Sequence, residues 1–242
     1  MKMPLNIIYK IYSFVIALPI FIVVTIITAL VIMLFALLGD KDKTDYFLSK
    51  WWSKITCRIF LLGIKVEGRD KLDKTQSYVF LANHQGYFDI FLTYGYLGHN
   101  FKWMMKEYLR KIPLVGIACS ATGQIFVDDT RAGIKKAVEQ SRKTLTRGMS
   151  MVIFPEGTRT YDGSMGEFKR GAFMLSGEIG LPVVPMTING SFRVFSRKAK
   201  SVSHGTLHLT VHDPITPEQY KSKPTKVFMR EVWKIINEDL EK

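Results

Sequence analysis

His84 and Asp89 are the residues of this chain whose types and spacing best support chemistry. They lie in the run Asn83-His84-Gln85-Gly86-Tyr87-Phe88-Asp89. An imidazole can take and return a proton near neutral pH. A carboxylate five residues on, in the first turn of a helix, can fold back to one ring nitrogen. It would then fix the tautomer and stabilise the imidazolium, leaving the other nitrogen to accept a proton from an alcohol. Aspartate at a helix start is also a common cap, so spacing alone leaves open a structural reading in which Asp89 caps and His84 packs. The chain holds no Gly-x-Ser-x-Gly elbow. The simplest use of the base is therefore to activate a hydroxyl of the substrate itself.

About seventy residues later comes Phe154-Pro155-Glu156-Gly157-Thr158-Arg159. Gly157 permits a tight turn in which an acid, Glu156, and a cation, Arg159, converge. A guanidinium matches a phosphate through paired hydrogen bonds. Lys106 and the Lys169-Arg170 pair each follow a predicted strand or turn and are further candidates for an electropositive site. The alternative for each is a solvated surface charge, the usual state of Lys and Arg. His204, His208 and His212 recur at spacing four, but in a predicted strand four residues span about 13 Å, too far for shared metal ligation. No metal site is expected. Cys57 and Cys119 match no metal spacing and read as reduced packing residues facing the cytosol.

The elements that must position these groups are legible in outline. Ile11 to Leu38 is a run of 28 residues without a charge. As helix it would be about 42 Å long against a hydrocarbon core of about 30 Å. It is too long for a signal-peptide core and reads as a retained anchor. Lys2 and Lys10 precede it and a nearly neutral charge cluster follows, so the positive-inside rule does not orient it. Next comes an amphipathic helix with Phe47, Trp51, Ile55, Ile59 and Leu62 on one stripe and Lys50, Lys54 and Arg58 on another. With the Trp51-Trp52 pair it reads as a seat at the lipid interface, the alternative being an ordinary helix packed on the domain. The formal net charge is +13, and nearly all the excess lies after residue 40. That favours anionic partners. The anchor selects anionic membrane lipid or a phosphorylated substrate, and argues against nucleic acid.

Beyond the anchor, strands are predicted at 77–82, 101–105, 123–127, 150–154, 183–188 and 206–211. Helices are predicted at 131–147 and 171–179, with a closing helix to about residue 240 that starts on Pro224 as its first residue and buries Val227, Val232, Ile235 and Ile236. Alternation of strands and helices argues for an α/β domain, a mixed, mostly parallel sheet flanked by helices, with an N-terminal membrane-associated two-helix segment. The division is 1–63 for the anchor and amphipathic helix and 64–242 for the catalytic domain. Both candidate motifs follow strands, at the edge of an α/β sheet where sites usually form.

The run from Asn83 to Asp89 resembles the first motif of the glycerolipid acyltransferases, whose hallmark is His, four residues, then Asp. Gly123-Gln124-Ile125-Phe126-Val127-Asp128 resembles their second motif, Phe154 to Arg159 their third, and Leu181-Pro182-Val183-Val184-Pro185-Met186 their fourth. The four occur in family order and similar spacing over residues 83–186. The chain length and apolar N-terminus resemble the bacterial 1-acylglycerol-3-phosphate acyltransferases. The resemblance implies acyl transfer from a coenzyme A or acyl carrier protein thioester, a co-substrate rather than a bound cofactor. The acceptor would be the free hydroxyl of lysophosphatidic acid and the product phosphatidic acid, at the cytoplasmic face of the cell membrane. It implies His84 as general base, Asp89 as its orienter, direct attack without an acyl-enzyme, and Glu156, Gly157 and Arg159 at the acceptor site. Two positions depart from the family pattern. Gly86 stands where serine is usual, and Asp129 stands where the second motif usually has arginine, for which Arg131 is the candidate replacement. The rivals are an acyltransferase for another lyso-lipid, a hydrolase using the same base on water, and a non-enzymatic protein that only holds anionic lipid. Replacing Asp89 by Asn is expected to slow turnover by holding the wrong tautomer.

Overall fold

The computed structural model describes residues 5–38, 42–113, 115–128 and 130–241. Lys2, Asp40, Lys41 and Asp129 lie outside the described residues, as does Asp129's departure from the family motif.

The apolar N-terminus is helical from the first described residue. Helix α1 (Leu5–Tyr12) runs through a π turn, Ser13–Ala17, into α2 (Leu18–Leu37). Pro19 lies in the first turn of α2, directly after the π turn, the kind of local widening that accommodates a proline ring within a helix. By length and composition Leu5–Ala36 is long and apolar enough to cross a membrane. The helix also packs on the body. Tyr9 and Tyr12 donate their hydroxyls to the carbonyls of Phe60 and Ile59, both at 2.7 Å. Trp52 Nε1 donates to Thr25 Oγ1 at 3.0 Å. These contacts set α2 antiparallel to α3 (Asp42–Ile59).

Helix α3 turns its stripes opposite to an ordinary surface helix. Phe47, Trp51 and Ile55 are exposed, while Ser49, Ser53, Thr56 and Cys57 are buried. Those small side chains let α4 (Phe88–Tyr96) approach until a Cβ on Gly95 would lie 3.4 Å from Ser53 Cβ. The tryptophan pair divides: Trp51 faces out, and Trp52 turns inward against Phe91 at 4.8 Å between ring centroids. An outward apolar stripe beside a long, mostly exposed apolar helix makes this a membrane-associated chain.

Seven strands form one sheet in the order β1-β7-β6-β2-β5-β3-β4. They are β1 (Gly63–Glu67), β2 (Val79–Ala82), β3 (Phe101–Lys106), β4 (Ile125–Val127), β5 (Ser150–Ile153), β6 (Val183–Asn189) and β7 (Thr206–Val211). All neighbours are parallel except β6 and β7, so the β1–β7 pair runs against the rest. The central strands are buried on both faces, which is why they read as unbroken apolar runs. On one face Phe80 and Ala82 pack with α3 and α4. On the other Val79 and Leu81 pack with α6 (Arg131–Thr144), α7 (Arg170–Ile179) and α10 (Thr225–Glu238). Three short helices complete the chain: α5 (Val115–Ala121), α8 (Ser191–Phe195) and α9 (Pro217–Lys221).

Three expectations change. Strand β1, α5, α8 and α9 were not predicted. Pro224 is the N-cap of α10 rather than its first residue, and α10 buries Phe228, Val232 and Ile236 while Val227 is exposed. The helix thus begins one residue later, and its buried face is the spacing-four row Phe228, Val232 and Ile236, with Ile235 partly buried beside it. The 63/64 division falls inside β1, and Cys57 and Phe60 of the N-terminal segment belong to the same core as Phe80 and Leu92.

Candidate active site

The C-terminal ends of β2 and β5 deliver the first and third motifs side by side. Asn83 closes β2 by bonding both ways to Ile188 on β6: Nδ2 donates to its carbonyl at 2.8 Å, and Oδ1 accepts its N–H at 2.7 Å. The chain then turns through His84, Gln85 and Gly86 into α4. Asp89 is fully buried in the first turn of that helix, where the helix dipole favours a carboxylate. Its Oδ2 accepts three hydrogen bonds: from the Gln85 N–H at 2.7 Å, from the Gly86 N–H at 2.9 Å, and from His84 Nδ1 at 2.6 Å. One oxygen thus both orients His84 and ties down the turn before α4, while the N-cap of that helix, Tyr87, makes no side-chain cap bond. Its Oδ1 has no partner among the described residues.

The His84 backbone is held from the other motif. Its N–H donates to Glu156 Oε1 at 2.7 Å, and its carbonyl accepts the Thr160 N–H at 2.8 Å. Glu156 Oε2 accepts the Gly166 N–H at 2.8 Å. Both oxygens of Glu156 thus face backbone donors, and the carboxylate joins three loops. Burial pushes its pKa above the usual carboxylate range, opposed by those two N–H bonds. The imidazole lies flat on Phe154, with centroids 3.9 Å apart and planes 6° from parallel, and Phe154 is backed by Trp103 at 5.2 Å. One carboxylate and one aromatic face fix the ring. Its side chain remains 16% exposed, and Nε2 has no partner among the described residues.

The candidate cations come from four different segments. Arg159 lies 3.6 Å over the ring of Tyr87, inside the His84 turn. Lys169 donates its backbone N–H to Pro155 at 2.7 Å, and its side chain runs beside Gly157. Gly157 has φ +69°, the left-handed region that favours glycine, and a Cβ there would lie 3.0 Å from Lys169 Cε. Lys106 ends β3 on the same sheet edge, two strands from β2. Arg131 opens α6 after β4, three strands from β2 in the sheet order, and Ile134, one turn further along that helix, lies beside Gly171, two residues from Lys169. The second motif is structural at that end. Asp128 Oδ1 accepts the Thr130 N–H at 2.8 Å and the Thr130 hydroxyl, and Thr130 in turn caps α6 by accepting the Gly133 N–H at 3.0 Å.

Gly86 has a reason in packing. A Cβ there would lie 2.5 Å from the Ser191 carbonyl oxygen and 2.8 Å from that of Phe195. Helix α8 sits where a side chain at position 86 would go, and Phe195 accepts the Tyr87 N–H at 3.1 Å. The roles of Phe154, Tyr87 and α8 were missed from sequence, since each depends on a contact between distant segments.

A base held by a buried carboxylate, beside cations and an apolar membrane seat, fits acyl transfer to a lipid alcohol. The family model described as Acyltransferase matches residues 63–189, and the chain belongs to that family. It is 33% identical over 187 residues to the chloroplastic 1-acyl-sn-glycerol-3-phosphate acyltransferase LPAT1 of Arabidopsis thaliana, covering 75% of this chain and 52% of that protein. It is 30% identical over 168 residues to the 1-acyl-sn-glycerol-3-phosphate acyltransferase of Helicobacter pylori, covering 67% of this chain and 69% of that one. The chain thus spans about half the length of its chloroplastic relative. The crystal structure of the 1-acyl-sn-glycerophosphate acyltransferase PlsC from Thermotoga maritima shares the fold, with TM-score 0.79 over 97% of this chain and 94% of that one at 24% identity.

Proposed function

We propose that this chain transfers a fatty acyl group from a thioester to the sn-2 hydroxyl of 1-acyl-sn-glycerol 3-phosphate, giving phosphatidic acid. The observation that carries the reading is the 2.6 Å bond between His84 Nδ1 and Asp89 Oδ2, on a ring whose Nε2 has no partner among the described residues. The names of the relatives support the choice of acceptor. Nε2 takes the proton of the acceptor hydroxyl as its oxygen attacks the thioester carbonyl. A C–O bond forms, the tetrahedral intermediate collapses, the C–S bond breaks, and the imidazolium returns the proton to the departing sulfur. Asp89 stabilises the imidazolium electrostatically, and the Phe154 face adds a cation–π contribution. Arg159, with Lys169 and Lys106 nearby, holds the acceptor phosphate. Glu156 and Gly157 shape the turn that presents Arg159. Acyl-coenzyme A or acyl-acyl carrier protein is the donor. The exposed stripe of α3 rests on anionic lipid at the cytoplasmic face of the cell membrane.

The test is thiol release from an acyl thioester by purified protein, with and without lysophosphatidic acid, for wild type and His84→Ala. Acceptor-dependent release that disappears in the variant is expected. Release without acceptor would make the protein a hydrolase, and unchanged turnover in His84→Ala would remove the base. Equal use of a lyso-lipid without a phosphate monoester would remove lysophosphatidic acid as the preferred acceptor.

A further inference from the structure

The segment after α8 carries two cations that neither the sequence motifs nor the reading above uses. The Arg197 guanidinium lies 4.5 Å from the centre of the Tyr161 ring, and Lys198 Nζ lies 4.0 Å from the same centre. Arg197 Nη1 also donates to Thr158 Oγ1 at 3.5 Å. Thr158 precedes Arg159, whose guanidinium rests on Tyr87. Tyr87 in turn packs on Phe195, with ring centroids 4.9 Å apart, and Gln85 Nε2 donates to the Gly163 carbonyl at 3.2 Å. Three cations on two aromatic platforms therefore lie around the turn that carries His84.

Their chemistry is that of unspent charge. Among the described residues no carboxylate pairs with Arg197 or Lys198. The nearby acid, Asp162, bonds the Ser164 N–H at 3.0 Å and the Ser164 hydroxyl at 2.6 Å. A tyrosine face positions a cation without neutralising it. Two such cations on one ring repel each other, and a bound dianion would relieve that repulsion. The guanidinium edge offers paired donors and the ammonium adds a point charge, a combination suited to phosphate.

We propose that Arg197 and Lys198, mounted on Tyr161, form with Arg159 a cradle for a phosphate monoester at the mouth of the active site. This rests on the acyl-transfer reading above. Two sources share this chemistry: the phosphate of the lyso-lipid acceptor and the phosphate groups of the thioester donor.

The experiment compares wild type with Arg197→Gln/Lys198→Gln, both exposed positions, and with Tyr161→Leu and Tyr161→Phe, after matching their melting temperatures. It reads KM for lysophosphatidic acid, KM for the donor, and binding of glycerol 3-phosphate and of coenzyme A by calorimetry. The double variant is expected to raise one KM, and weaken the matching soluble probe, by about tenfold or more with kcat nearly unchanged. Which KM moves assigns the source. Tyr161→Leu is expected to show a smaller rise in the same KM, and Tyr161→Phe none. Unchanged KM values and probe binding in the double variant overturn the proposal. So does loss confined to flotation with anionic phosphatidylglycerol vesicles, which would make the cations a membrane contact. If wild type binds glycerol 3-phosphate through Arg197 but does not acylate lysophosphatidic acid, the cradle stands and the acyl-acceptor reading fails.

Discussion

Replacing Asp89 by Asn tests the centre of the site. The sequence-based expectation was a wrong tautomer, but the geometry points elsewhere. Oδ2 accepts the N–H groups of Gln85 and Gly86 as well as His84 Nδ1. An asparagine that placed its amide nitrogen there would set a donor against two buried donors, costing about 1–3 kcal/mol for each left unsatisfied. It therefore keeps its oxygen in that position and still accepts from Nδ1. The tautomer survives and the negative charge is lost. A unit-charge pair about 4 Å apart at an effective dielectric near 20 is worth about 4 kcal/mol. The neutral hydrogen bond that remains recovers about 1 kcal/mol of this. The difference of about 3 kcal/mol falls on the step that forms the imidazolium, so kcat should drop roughly a hundredfold. The assay is steady-state turnover at saturating donor and acceptor, with thermal melting alongside. Asp89→Ala should lose more activity and more stability, because it also orphans two buried N–H groups. A kcat for Asp89→Asn within fivefold of wild type would refute the electrostatic argument. Equal activity in Asn and Ala variants would refute the geometric one.

Glu156→Gln leaves only one acceptor for two backbone donors, His84 N–H and Gly166 N–H. It should cost about 1–3 kcal/mol of stability and lower kcat. A variant of wild-type melting temperature whose only defect is a raised acceptor KM would make Glu156 a ligand rather than a strut. Gly86→Ala should lower the melting temperature by several degrees, since its Cβ meets two backbone oxygens within 2.8 Å. Wild-type stability there would mean that α8 can move away. Burial lowers the pKa of His99, opposed by the neighbouring Gln76 and Gly148 backbone and by Asp73. Burial likewise lowers that of His212, opposed by Asp239 and Asp213 and reinforced by Lys71. With both lowered on folding, the unfolded chain binds more protons once pH reaches the unfolded histidine range, so stability is lost as pH falls below about 6.5. Melting between pH 7.5 and 5.5 should show this fall, and His212→Gln should flatten it. A melting temperature constant over that range would contradict both shifts.

What was legible in the sequence was what is local or doubly buried. The His84–Asp89 dyad spans five positions and closes within one turn, so spacing alone could suggest it. The strands β2, β5 and β6 are buried on both faces and announce themselves as apolar runs. Strand β1 escaped because Gly63-Ile64-Lys65-Val66-Glu67 is a short, charged edge, the form edge strands take to avoid further pairing. The stripe on α3 reads in the sequence as a seat at the lipid interface, and Phe47, Trp51 and Ile55 do face out, because the buried side is made of serine, threonine and cysteine, whereas Leu62 turns into the core. A hydrophobic pattern identifies a face; only the partner decides whether that face meets protein or lipid. The same limit governs the site. Glu156 beside Arg159 looks like a second ligand until the N–H of His84, seventy-two positions away, is found on its oxygen. Arg197 looks like an ordinary loop charge until Tyr161 is found beneath it. Types and spacing could suggest the reacting pair, whereas the groups that aim the imidazole and gather charge around it are defined by pairs remote in the chain.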